Sequence, residues 1–223
     1  MVLAFGRPEV KDCFPNLWAQ RKVQPLPLPA LSRKACERLV QQVLGTSASA
    51  ESISRLCERS GGNPLFLEEL VRAHAEGKEA EQAESVLAML QARISGLSPS
   101  ARRVVLAASV FGQSFWRGGA AAILGCERND PEVEFGLKAL QDAEIVQSSR
   151  DSQIAGENEL TFRHALMREA AYGLLRDEDQ RLGHCRAAEF LERSQLNDPI
   201  VLGQHWFAAG VVDRALPCFV QAA

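Results

Sequence analysis

The sequence predicts a mainly α-helical protein: a small helix bundle, then three helices with a β-hairpin, then a pair of repeat-like helices. Three observations carry this. Apolar residues recur at helical spacing through most of the chain, with Ala, Leu, Glu, Arg and Gln dominating. Serine, aspartate and proline stand where helices should start, and glycine where they should stop. Alternating strand patterns are confined to "EIVQSS" and "ELTFRH".

The first segment, "MVLAFGRPEV", is a short apolar run ending at Gly6-Arg7-Pro8, the pattern of a buried strand that delivers Arg7 at its C-terminal edge. In "KVQPLPLPALS" Pro25, Pro27 and Pro29 alternate with leucines, which excludes a central strand and predicts an extended connector. Ser32 caps a helix through Cys36, Leu39, Val40 and Val43 to Gly45. A second helix runs from Ser52 to the Gly61-Gly62 stop. In "ERSGGNPLFLEELVRAH" a glycine closes that helix in the left-handed conformation, Asn63 caps the next, and Pro64 takes its first position. After the charged stretch Glu76 to Glu84, a fourth helix covers Val86, Leu87, Leu90 and Ile94 and ends near Gly96.

"LSPSARRVVLAASVFG" starts sharply at Ser98-Pro99, "GGAAAILG" gives a short helix, and Asp130-Pro131 opens another through Val133, Leu137 and Leu140. With the hairpin around "RDSQIAGEN", this is the order of a winged helix. "HALMREAAYGLL" predicts a long helix directly after the hairpin. In "RLGHCRAAEFLE" Leu182, Cys185, Ala188 (or Ala187), Phe190 and Leu191 share one face. Leu202, Gly203 and Trp206, then Ala215, Phe219 and Ala222, match most of a tetratricopeptide unit. Such units need neighbours to cover their apolar faces.

Composition narrows function by exclusion. Hydrophobic content of 46%, charged content of 24% and a net charge of -3 leave no electrostatic case for nucleic acid or an anionic membrane. The six cysteines are scattered without C-x-x-C spacing, and no apolar run reaches membrane length, which predicts a reducing, cytoplasmic setting. His74, His164, His184 and His205 show no metal spacing. His74, His184 and His205 read as surface or satisfied structural residues. No phosphate loop is present, and "PLFLEE" after Asn63-Pro64 reads as a helix start and not as a metal-binding strand. The third helix of the winged-helix segment and the turn after it carry Asp130, Glu132, Glu134, Asp142 and Glu144 against Lys138 alone, the wrong sign for a DNA reader.

The ordered set "FGRPEV", "SGGNPLFLEEL", "LSPSARRVVLAASVFG" and "LTFRHALMREAAY", with a tetratricopeptide start, resembles the rear half of STAND ATPases, the signal-transducing branch of the AAA+ class. The similar proteins are large bacterial ATPases fused to Ser/Thr kinase, adenylate cyclase or LuxR-type domains. The resemblance implies a remnant of the α/β nucleotide-binding core and connector over residues 1–30, a helical lid over 31–96, a winged helix over 97–164, and a helical linker with a first tetratricopeptide-like unit over 165–223. It implies that Arg7 is a sensor near the γ-phosphate and that Gly62, Asn63 and Pro64 pack on the adenine and ribose. It places His164 where a histidine meets the ADP β-phosphate, with Ala165 standing in place of the family's aspartate; the other reading is that His164 caps or packs the hairpin–helix junction.

Phosphate loop and metal-binding strand should precede "VLAFGRPEV". Their absence leaves a fragment, a mis-started frame or a degenerate descendant as the alternatives. The expectation is therefore a nucleotide-sensing and interaction region without enzyme activity of its own. ATP or ADP would bind in the intact parent and not tightly to this chain. Its partners would be the nucleotide-binding core and downstream repeats, with further proteins held by the helical repeats, and neither DNA nor membrane. The rival expectations are a nucleotide-independent tetratricopeptide-type adaptor and, less favoured, a winged-helix transcription regulator.

Overall fold

The structure is a computed structural model describing residues 4, 6, 10–15, 24–45, 48–77, 85–196 and 198–223. The chain is mainly helical with one small sheet, and it divides into two compact units, Met1–Leu67 and Glu68–Ala223.

In the first unit, most of the expected strand, Arg7 included, lies outside the described residues; Val10–Cys13 forms one helical turn (α1). The proline-rich connector is irregular, with Leu26 and Leu28 exposed. Helix α2 (Arg33–Leu44) starts where Ser32 Oγ accepts from the Ala35 amide and stops at Gly45. Helix α3 (Ala50–Ser60) begins two residues before its expected start, because Ser49 and not Ser52 is the cap: Ser49 Oγ accepts from the Ser52 amide. Cys36 and Val40 on α2, and Ile53, Leu56 and Cys57 on α3, are buried.

Gly61 closes α3 in the left-handed region at φ 55°. Helix α4 (Pro64–Ala75) then starts with Asn63 Oδ1 accepting from the Phe66 amide. The expected turn chemistry is present residue by residue.

The second unit begins within α4. Helix α5 (Val86–Ser95) is capped by Ser85, α6 (Pro99–Ser109) by Ser98, and α8 (Pro131–Asp142) by Asp130. Between α6 and α8 stand β1 (Ser114–Trp116) and α7 (Arg117–Leu124). Strand β1 is absent from the sequence reading. It pairs antiparallel with β3 (Glu159–Phe162), Phe115 opposite Leu160, while β2 (Val146–Ser148) pairs with the other edge of β3. The hairpin is therefore a three-stranded sheet in the order β1-β3-β2. Its core joins Leu90 and Ile94 of α5, Val104 and Val105 of α6, Leu137 and Leu140 of α8, Phe115, Phe162 and Met167.

Helix α9 (Ala165–Tyr172) is shorter than the sequence pattern predicts. The chain leaves it through i→i−3 bonds from Leu174 and Leu175, and the acids Asp177, Glu178 and Asp179 then open α10 (Asp177–Arg193). On α10 the buried face is Gly183, His184, Ala187, Ala188, Phe190 and Leu191; Leu182, expected on that face, is exposed. Helices α11 (Pro199–Ala208) and α12 (Val212–Ala222) pack closely, because a Cβ on Gly203 would lie 2.7 Å from the Phe219 ring.

Candidate functional site

Gly62, Asn63 and Pro64 lie together in the first unit, and His164 lies in the second. Gly62 is buried at φ 78°, and a Cβ there would meet the Leu31 carbonyl oxygen at 2.6 Å. The Leu31 amide donates to the Gly62 carbonyl at 2.8 Å. Close approach to the connector thus accounts for glycine at 62. Asn63 and Pro64 are exposed.

In the second unit His164 sits between β3 and α9 as the N-cap residue of α9, with an extended backbone and no side-chain cap bond. Its imidazole is therefore not used as a cap. Nε2 stands 3.8 Å from Glu68 Oε2 on α4, with the His164 side chain about one-third exposed.

Around it runs a chain of charges. Arg72, one turn after Glu68, approaches Glu68 at 3.3 Å and Glu144 at 3.1 Å. Glu144 also takes Arg163, the neighbour of His164, at 2.9 Å. Hydrogen bonds from Arg163 and Arg72 hold the Glu144 carboxyl below the usual carboxylate range. Burial would lower the Arg72 pKa, but its bond to Glu144 and the nearby carboxylates raise it. Glu144 takes φ 55° in the turn before β2, a left-handed conformation that ordinarily favours glycine. A charged side chain in that conformation, bridging two arginines from different elements, marks the turn as a junction.

Beneath the exposed chain lies a dry pair. Arg93 on α5 donates to Glu69 at 2.5 Å and also to the Ala143 carbonyl at the end of α8. Only 4% of the Glu69 side chain is exposed. Burial pushes its carboxyl up and pushes the Arg93 guanidinium down, each opposed by the other's charge. Together the two layers fix α4, α5, the α8–β2 turn and the β3–α9 junction to one another.

A second polar cluster escaped sequence reasoning. The Tyr172 hydroxyl lies 2.9 Å from His184 Nε2, and His184 Nδ1 lies 2.9 Å from His205 Nδ1. Both histidines are buried, where the sequence left surface and structural placement open, and they meet across a separation of 21 residues that no spacing rule anticipates. Among the described residues, no group of three or more His, Cys, Asp or Glu side chains could hold a metal ion. No helix is long and apolar enough to cross a membrane, again among the described residues.

A scan against protein-family models gives no match, and a search of curated proteins gives none either.

Proposed function

We propose that this chain is the nucleotide-sensing regulatory and interaction part of a STAND-type ATP-binding signalling protein. The junction at His164 carries the reading. An uncapped imidazole and the Arg163 guanidinium adjoin the N-terminus of α9, where backbone N–H groups and the helix dipole favour an anion. That donor set fits a phosphate group, which Glu68 and Glu144 now oppose from the α4 side and the α8–β2 turn. Bound ADP would supply the phosphate. His164 and Arg163 would donate to it, and their release from Glu68 and Glu144 would couple the bound state to the outer charge layer on α4 and the α8–β2 turn.

The order α6-β1-α7-α8-β2-β3 supports reading this segment as a winged helix, and the α11–α12 pair supports a first tetratricopeptide-like unit. A DNA-reading role is not part of the proposal. On α8, Glu132 and Glu134 take Arg103 and Arg117 at 3.3 Å, so these acids engage two basic residues of the earlier helices.

The test is ADP affinity by calorimetry of His164→Ala in the polypeptide that carries the phosphate loop. A hydrogen bond to a charged group is worth about 1.5–3 kcal/mol, so affinity should fall about tenfold or more. Unchanged affinity with a lowered melting temperature would make His164 a structural residue and remove the reading.

One observation favours the rival adaptor reading: Phe207, Val212, Leu216 and Val220 on α11 and α12 are each more than half exposed. An apolar face of that kind suits a protein partner. Partner capture insensitive to ADP and ATP would select this reading over the first.

A further inference from the structure

Between α6, the end of α7 and the first half of α10, the second unit holds a half-open groove of about 340 Å³. Its surface is aliphatic, with Leu106 and Val110 from α6, Leu124 from α7, and Leu175 and Leu182 from the α10 side. Among the described residues, no aromatic ring lines it. Gly183 keeps the groove closely walled: a Cβ there would lie 3.0 Å from Val110, so α10 crosses α6 at close range. Leu182 stays 51% exposed at the rim, although the amphipathic pattern of α10 would bury it. It is a leucine without cover beside an apolar floor.

The charged rim is asymmetric. Arg186 donates from Nη1 to the Ile123 carbonyl at 2.6 Å, which holds the guanidinium in place. Arg103, also lining the groove, reaches outward to the exposed Glu132 at 3.3 Å. Asp179 is the single carboxylate among the described lining residues, and Arg176 already engages it at 2.9 and 3.3 Å. The groove therefore presents an aliphatic trough with excess positive charge and one immobilised arginine. Sites for small ligands occupy roughly 300–1,000 Å³ and combine apolar walls with a few placed polar groups. A guanidinium is the side chain best matched to a carboxylate, because its planar fork donates two parallel bonds.

We propose that this groove binds an aliphatic monocarboxylate of the fatty-acid class, its chain along the leucine floor and its carboxylate on Arg186. The absence of aromatic rings favours a flexible alkyl chain over a planar ligand. The single fixed cation favours one terminal acid over a polyanion. The site is independent of the junction at His164.

The test is calorimetric titration of the full chain with dodecanoate, kept below its micelle concentration, alongside methyl dodecanoate. One saturable site for dodecanoate is expected. Arg186→Gln should weaken dodecanoate about tenfold and leave the methyl ester unchanged. Leu182→Asp should weaken both ligands; its position is exposed, so its melting temperature should match the unmodified protein and keep the test readable if Arg186→Gln unfolds. No saturable binding, or binding equal in the unmodified protein and Leu182→Asp, overturns the proposal. So does binding of an acidic, leucine-rich peptide without any binding of dodecanoate, which would assign the groove to a protein partner.

Discussion

Acidification should unfold the second unit earlier than its surface charges would suggest, through His184 and His205. Both histidines are pushed down from 6.5 to about 4. Burial is the main cause for each, with the Arg168 cation adding to it and, for His205, the charge of His184. Among the described residues, the groups that act on them are the Tyr172 hydroxyl and Arg168 from α9 and the Phe111 ring, none of them a carboxylate that could stabilise an imidazolium. Neutral imidazoles can share the Nδ1···Nδ1 bond, one donating and one accepting; charging the acceptor turns both atoms into donors and breaks it. Because the folded pKa values are depressed, the unfolded chain binds more protons between pH 6.5 and about 4, and stability falls as pH falls through that window. At pH 5 the linkage amounts to about 2 kcal/mol for one histidine and about 4 kcal/mol for both. Against a typical total of about 5–15 kcal/mol this is a large fraction. With urea slopes of about 1–3 kcal/mol per molar, the unfolding midpoint should drop by roughly 1–4 M between pH 7.5 and pH 5. Urea titrations followed by tryptophan fluorescence at the two pH values measure it. An unchanged midpoint would refute the reasoning, as would an equal drop in the double variant His184→Gln/His205→Gln.

Four further outcomes are expected. Gly62→Ala should cost on the order of 2 kcal/mol or more, because its Cβ meets the Leu31 backbone, while Gly61→Ala, with open space at its Cβ, should cost about 1 kcal/mol; equal urea midpoints would contradict the packing argument. Arg93→Ala strands the buried Glu69 and should destabilise by about 3–5 kcal/mol, with part of the loss recovered in Arg93→Ala/Glu69→Leu, both read by thermal melting. Duplex DNA should give no gel-shift complex at physiological salt, and a complex lost on altering residues between Pro131 and Gln141 would overturn the charge argument on α8. Amide exchange should be fastest from Pro199 onward, where α12 leaves most of its apolar face uncovered; uniform protection from Ser98 to Ala223 in a proven monomer would contradict this.

Helix starts were legible because a cap is a local bond. Ser32, Ser98, Asp130 and Asn63 need only the next three residues to make their contacts, and each makes them. Strand β1 was not legible, since three residues are too short for an alternation to show; the only signal was the adjacent aromatics Phe115 and Trp116 after a Gly-Gln-Ser punctuation. The face of α10 was misread for a different reason. Periodicity assigned the interior to Leu182 as the larger apolar residue, whereas the close crossing with Val110 requires Gly183 there and turns Leu182 to solvent. Side-chain size, which a wheel of apolar positions ignores, decided the rotation.

The junction was illegible in a deeper sense. Glu68, Arg72, Glu144 and Arg163 each look like ordinary solvated charges in sequence, and only the tertiary fold sets them in a row. Their burial then divides their roles. The Arg93–Glu69 pair lies in low dielectric, where losing one partner leaves a charge stranded, so it holds α4, α5 and the end of α8 in one arrangement. The outer pairs are 28–48% exposed, and each exchanges readily with water and salt. His164 sits at the end of that outer layer, facing Glu68 at a distance too long for a strong bond. A junction anchored on its dry side and weakly tied on its wet side can exchange the partners of Arg163 and His164 while Phe162 and Met167 on either side stay in the core. Under the proposed sensor function, a phosphate would then have only to outbid solvent-exposed carboxylates and not to break a buried network.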